Sequence, residues 1–284
     1  GDQRVKAHVE DADCVIVLGV AQNDINLGAF SVDIPRGRIV SLDTHDLWVG
    51  HRTYAGVSFD VSFDGMVSAD LTSRPRPSDL PHSWDATDPG DSGPLTTDQI
   101  AAVLDDFLDP SDIVSVDVGA AAHLMMDVRL AAAGQMHIAR YYVGMGFAVP
   151  AAGGAALARG AGRPIVLVGD GSFQMTGFDV STAIRYGVAP IVLVLKNGGY
   201  TTERAITDGP FNDIADWNYA AVGDVVGASG ASVDTRAALL AALETARSEP
   251  DRAWIISMDL DIHDYPRPLR ELGKGLAALM KAKD

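Results

Sequence analysis

Continuous apolar runs of strand length, separated by helix-spaced segments, organise this chain. The run DADCVIVLGV (11–20) is apolar without alternation, the pattern of a strand buried on both faces, and RGRIVSLD (36–43) is a second of the same kind. On this reading Cys14 is a buried strand residue. From residue 96 the pattern becomes regular. A Thr cap opens the helix TTDQIAAVLDDFLD, followed by the strand DIVSVDVG, the small-residue helix GFAVPAAGGAALARG and the strand RPIVLVGDG. Then come the helix TGFDVSTAIRYG, from about Thr176, the strand APIVLVLKN, the helix TRAALLAALETARSEP, the strand AWIISMDLD and a last helix near 266–281. Strands alternating with helices predict an α/β fold with a doubly wound, mostly parallel sheet.

Residues 73–97, rich in Pro, Asp, Ser and Gly, have the composition of a linker. They divide the chain into 1–72 and 98–284. Only two parallel-type strands precede the linker, whereas open doubly wound sheets have five or six. The first part therefore reads as a partial Rossmann-like domain. The segment GHRTY (50–54) reads as structural.

Composition narrows the function classes. The chain has 284 residues, 47% of them apolar, enough for a large core, with no apolar run of membrane-spanning length. Acidic residues outnumber basic ones 38 to 22, giving a formal charge of −16 that opposes binding to nucleic acid. The opening residues GDQRVKAHVEDADC carry no targeting pattern and no initiating Met, so cleavage or a tag remnant stays open. One cysteine excludes an intrachain disulfide, and a cytoplasmic location is the expectation.

The candidate chemistry lies where two strands end. PIVLVGDGSFQMTG (164–177) runs into Gly169-Asp170-Gly171, and LVLKNGGYTTER (193–204) runs into Asn197. Ligands of open α/β sheets bind beyond the carboxyl ends of strands. Gly169 and Gly171 leave room for a phosphate, and a helix start beyond them offers N–H groups to an anion. The Asp170 carboxylate, the Asn197 amide oxygen and a carbonyl near Gly199 would complete an octahedral Mg²⁺ site together with phosphate oxygens and water. Two ordinary glycine-rich turns are the alternative. His45, His51, His82, His137 and His263 lack metal-ligand spacing and receive no role.

The GDG motif, the 27 residues from Asp170 to Asn197 and NGGYTTER resemble the diphosphate-binding motif of thiamine-diphosphate enzymes. GDGSFQMTGFDVSTAIRYGVAPIVLVLKNGGYTTERAI and FNDIADWNYA resemble the pyruvate, indolepyruvate and phenylpyruvate decarboxylases most. The match continues through DVGAAAHLMMDVRL, YYVGMGFAVPAAGGAALA and DADCVIVLGVAQNDINLGAFS. The resemblance implies the thiamine-diphosphate-binding fold preceded by part of the family's Rossmann-like middle domain. It implies thiamine diphosphate and Mg²⁺ as cofactors, with Asp170, Asn197 and the Gly199 carbonyl as metal ligands. Gly119, Gly169, Gly171, Ser172 and Tyr200 would line the cofactor. Met145 would prop it in a bent shape, and the Val143 carbonyl would accept from its 4′-amino group. Glu203 would be the catalytic carboxyl, orienting the substrate carboxylate and helping protonate the carbon left by CO₂. A carboxyl with that task needs a raised pKa, which an apolar cleft provides. Ala122, His123 and Thr202 would line the substrate pocket. The small Ala122 and Thr202 favour an aromatic or branched 2-oxo acid, with Leu269 and Leu272 adding to the wall.

Three positions depart from the family pattern. Lys196 replaces the first Asn of its Asn-Asn pair and is expected to point to solvent, the alternative being that it adds positive charge near the diphosphate. Ala120 and Ala121 replace a Thr-Ser pair, losing a hydroxyl contact to the diphosphate. Thr202 stands in place of a bulky aliphatic residue. Nothing matches the family's pyrimidine-binding domain, with its activating glutamate and its histidine pair. The implied partner is a second polypeptide carrying that domain, in a hetero-oligomer. A carboligase forming acyloins and a non-catalytic cofactor-binding module are the alternatives.

Overall fold

The computed structural model describes residues 3–20, 27, 31–69, 90 and 92–273. The chain divides into two compact units, the first within Gly1–His82 and the second spanning Ser83–Gly273.

In the first unit, strands β1 (Val15–Leu18), β2 (Ile39–Leu42), β3 (Asp46–Val49) and β4 (Arg52–Ala55) form one sheet in that order. Helices α1 (Gln3–Glu10) and α2 (Phe59–Val67) accompany it. β1 and β2 pair in parallel, as the two apolar runs predict. GHRTY forms the turn and most of the second strand of the antiparallel β3–β4 hairpin. The expected two-sided burial of β1 is not found. Its residues alternate, with Ile16 and Leu18 more than 40% exposed. Cys14 lies before the strand and is exposed, which corrects its assignment to the core. Among the described residues, two helices accompany this sheet and β1 is left half exposed.

Most of the presumed linker, residues 73–89 and 91, lies outside the described residues. Its end is already part of the second unit. Leu95 is buried and its N–H donates to the Asp234 carbonyl. Thr96 then caps α3 (Thr97–Phe107) in a reciprocal capping box with Gln99.

The second unit is a six-stranded sheet in the order β6-β5-β7-β8-β10-β9, every pair parallel. The strands are β5 (Ile113–Val116), β6 (Met136–Ile138), β7 (Pro164–Gly169), β8 (Ile191–Lys196), β9 (Ser229–Val233) and β10 (Trp254–Asp259). The helices after α3 are α4 (Ala120–Leu124), α5 (Ala148–Arg159), α6 (Asp170–Thr176), α7 (Val180–Arg185), α8 (Thr201–Ile206), α9 (Tyr219–Val226) and α10 (Arg236–Ser248). A further helical stretch begins at 267 and is described to 273.

Alternation along the strands explains the two-sided core. Ile191, Leu193 and Leu195 pack with Ile100 and Leu104 of α3 and Leu239 and Leu243 of α10. Val192 and Val194, pointing the other way, pack with Val149 and Ala152 of α5 and Val222 and Val226 of α9. A strand buried on both faces has to be apolar at every position, which is why β7 and β8 read as unbroken runs. Burial of this kind contributes roughly 1.5–3 kcal/mol per large apolar side chain. The expected helix from about Thr176 in fact starts at Asp170, immediately after β7. A 3-10 turn at Gly177–Asp179 separates it from α7.

Candidate active site

Parallel pairing of β7 and β8 aligns Gly169 with Leu195, so the residues that follow both strands emerge together at one sheet edge. Asp170 is 1% and Asn197 4% exposed there. One Asp170 carboxylate oxygen accepts the Gly171 N–H at 2.8 Å. The other accepts the N–H groups of Asn197 at 3.0 Å and Gly198 at 2.7 Å. The Gly199 N–H also faces this carboxylate. Burial pushes the Asp170 carboxyl above the usual range, against the pull of these four N–H groups. Asn197 donates its amide N–H to the Thr201 hydroxyl, which fixes the flip of the amide and leaves its oxygen as an acceptor.

The two glycines of the GDG motif differ in what holds them. A Cβ at Gly169 would meet nothing within 4 Å. A Cβ at Gly171 would lie 2.7 Å from the Tyr200 ring and 3.6 Å from the tip of Met145. Gly171, Tyr200 and Met145 are thus brought together across three segments. Ser172, in the first turn of α6, is 3% exposed.

Val143 and Met145 lie in the connection between β6 and α5. Val143 has φ 55°, in the left-handed region that β-branched residues avoid. Asp117, fully buried at the end of β5, fixes this connection. Its carboxylate accepts the N–H groups of Gly146 at 3.2 Å and Ala148 at 3.0 Å. Thr176 donates to the Gly146 carbonyl at 2.9 Å. Reading the sequence missed Asp117, although an acid ending an apolar strand was a visible signal.

Gly119, with φ 76°, begins α4, and its carbonyl lies 2.8 Å from His123 Nδ1. His123 is 7% exposed, and burial holds its imidazole pKa below the ordinary value. A Cβ at Gly119 would stand 3.4 Å from the Thr202 hydroxyl, itself buried and without a hydrogen-bond partner. Gly119, His123 and Thr202 therefore share one corner, and Ala122 is buried on the same turn. Leu269 is 1% exposed. Glu203 stands exposed in the first turn of α8.

Lys196 corrects the expectation of a solvent-directed side chain. Its ammonium lies 3.1 Å from Asp259 and 3.3 Å from Asp216, and the side chain is 27% exposed. It ties the end of β8 to the end of β10. No group of three or more His, Cys, Asp or Glu side chains arranged for a metal ion occurs among the described residues. The donor set at the β7 and β8 ends is instead one carboxylate, one amide oxygen and backbone carbonyl oxygen. These are hard donors, suited to a cation that takes its remaining ligands from phosphate and water. The unpartnered Thr202 hydroxyl leaves polar capacity for a ligand. The residues present fit a metal–diphosphate group.

Comparison with known proteins agrees with this geometry. Residues 117–257 match the model of the thiamine pyrophosphate enzyme C-terminal TPP-binding domain, TPP being thiamine diphosphate. The chain is 31% identical over 267 residues to an indole-3-pyruvate decarboxylase of Azospirillum brasilense, covering 90% of this chain and 47% of that protein. It is 29% identical over 288 residues to an alpha-keto-acid decarboxylase of Mycobacterium tuberculosis (strain ATCC 25618 / H37Rv), covering 97% of this chain and 50% of that protein. An alpha-keto-acid decarboxylase of Mycobacterium avium (strain 104) is 29% identical over 278 residues, covering 94% and 49%. The chain spans about half the length of the curated relatives it matches. Residues 117–257 thus match the C-terminal TPP-binding domain of the thiamine pyrophosphate enzymes, and the chain is similar to about half of an indole-3-pyruvate decarboxylase and of alpha-keto-acid decarboxylases.

Proposed function

We propose that this chain is the diphosphate- and Mg²⁺-binding part of a thiamine-diphosphate-dependent 2-oxo-acid decarboxylase that yields an aldehyde and CO₂. The observation that carries the reading is the juxtaposition of Asp170 and Asn197 at adjacent parallel strand ends. When bound, thiamine diphosphate supplies the carbon nucleophile and electron sink for loss of CO₂. Asp170, Asn197 and the Gly199 carbonyl hold the cation. Ser172 and the glycine turns at 119 and 169–171 receive the diphosphate, and Tyr200 packs beside it. Met145 and the Val143 carbonyl shape the cofactor. The left-handed Val143 supports this role, because strain of that kind persists where the surroundings enforce it. Glu203 orients the substrate carboxylate and delivers a proton to carbon. Ala122, His123 and Thr202 bound the space for the substrate side chain, an aromatic or branched group.

A pyrimidine-binding domain on a second polypeptide completes the site in a hetero-oligomer. Tyr141 and Tyr142, 72% and 88% exposed beside Val143, support a covered surface there. Exposed Glu203 supports it too, since its task requires an apolar surrounding that the described residues do not provide. Mixing the chain with thiamine diphosphate, Mg²⁺ and the pyrimidine-domain chain tests the reading, with phenylpyruvate, indolepyruvate and pyruvate as substrates. Aldehyde and CO₂ from the aromatic acids, at higher kcat/KM than from pyruvate, are the expected outcome. Acyloin as the main product favours a carboligase, and cofactor binding without turnover favours a non-catalytic module.

A further inference from the structure

Arg204 follows Glu203 on α8 and carries no role in the site as described so far. Its side chain is 4% exposed, whereas its ion-pair partners Asp208 and Asp213 are 50% and 58% exposed. A guanidinium paired only for stability gains little from being drawn inside while its acids stay in water. The buried end of the fork does something else. Nη2 donates to the Gly198 carbonyl at 3.3 Å as well as to Asp213 at 2.6 Å, and Nη1 reaches Asp208 at 3.2 Å.

The Gly198–Gly199 turn is fitted onto this side chain. A Cβ at Gly199 would stand 2.8 Å from Arg204 Nη2 and 2.1 Å from the Asn212 carbonyl oxygen. The Gly198 carbonyl also accepts the Ile214 N–H at 3.3 Å, and the Tyr200 N–H donates to Asn212 at 3.0 Å. The N–H groups of Gly198 and Gly199 both face the Asp170 carboxylate. One polar backbone atom of the turn is left over: the Gly199 carbonyl oxygen has no donor among the described residues. Two carboxylates outweigh the single positive charge of Arg204, so it orients the turn without opposing a cation nearby.

We propose that Arg204 is a positioning residue for the cation, holding the Gly198–Gly199 turn so that the Gly199 carbonyl is presented beside Asp170 and Asn197. This rests on the reading of the strand ends as a metal–diphosphate site. Arg204 touches neither the cation nor the reacting atoms.

The test uses the full chain with thiamine diphosphate and Mn²⁺ in place of Mg²⁺. Free Mn²⁺ is read by electron paramagnetic resonance, and the water coordinated to bound Mn²⁺ by solvent-proton relaxation. Arg204→Met removes the fork. Arg204→Lys keeps a buried cation and guards against simple unfolding, which circular dichroism checks. Both are expected to weaken Mn²⁺ binding by roughly 10–100-fold, the usual cost of losing a support behind a metal ligand. Both are also expected to raise the relaxivity of the Mn²⁺ that still binds, because water takes the place of the displaced carbonyl. Folded variants with wild-type affinity and relaxivity overturn the proposal while leaving the metal site intact. A wild-type chain that takes up no Mn²⁺ with thiamine diphosphate overturns the metal-site reading and this inference together.

Discussion

The Asp170 carboxylate accepts the Asn197 N–H at 3.0 Å across the ends of two adjacent parallel strands. This bond joins the two halves of a motif separated by 27 residues and turns two separate glycine turns into one donor set. It also accounts for the burial of a carboxylate with no basic partner. Four backbone N–H groups stand in for a positive charge. Replacing the acid by a neutral isostere keeps the N–H bonds on one oxygen and loses the charge. Asp170→Asn is therefore expected to fold, with a modest change in urea midpoint, and to lose Mg²⁺-dependent cofactor binding.

Asp117 is expected to matter for stability more than its distance from the GDG motif suggests. Asp117→Ala leaves the Gly146 and Ala148 N–H groups without their acceptor. Each buried orphan donor costs about 1–3 kcal/mol. Urea denaturation of the variant is expected to show a loss of that order, with faster hydrogen exchange at residues 143–148. An unchanged midpoint contradicts the role given to Asp117.

The Thr202 hydroxyl makes a prediction of opposite sign. A buried hydroxyl without a partner is a cost in the free chain, and an apolar group of the same shape removes it. Thr202→Val is expected to raise stability of the ligand-free chain by about 1 kcal/mol in urea titrations. A drop of that size shows that the hydroxyl is already satisfied.

His123 gives stability a pH dependence. Burial lowers its pKa in the folded chain, while the unfolded chain takes up its proton near the ordinary value of about 6.5. Between those two values the unfolded state binds more protons, so stability rises with pH. The contribution is complete above about pH 6.5 and is lost as the pH falls toward the folded value. Relative to His123→Phe, the wild type is expected to lose stability as the pH falls below about 6.5, by at most about 1.4 kcal/mol per pH unit. A difference that is flat or grows toward acid pH contradicts the burial of a neutral imidazole.

Legibility in the sequence followed burial. β7 and β8 lie inside the sheet, buried on both faces, so their almost unbroken apolar runs stood out. The edge strands did not. β6 has three residues, and β9 is SGASV, where Gly230 is required because a Cβ would lie 2.0 Å from the Ala220 carbonyl. β3 and β4 carry polar residues on a hairpin that no apolar run marks. Of the site, Asp170, Asn197, Gly171 and Tyr200 were readable because they follow readable strands. Lys196 was misjudged because Asp216 and Asp259 reach it from segments distant in sequence. Arg204 was invisible for a related reason: a helix-start arginine looks like surface until the turn at 210–213 folds over it.

The central claim is that the ends of β7 and β8 bind thiamine diphosphate through a divalent cation held by Asp170. Titration calorimetry of the full chain with thiamine diphosphate, with Mg²⁺ and with chelator, in wild type and Asp170→Ala, tests it most directly. Saturable binding that needs Mg²⁺ and disappears in Asp170→Ala, with the folded circular-dichroism spectrum retained, is the predicted result. Cofactor affinity unchanged by the chelator or by the substitution contradicts the assignment.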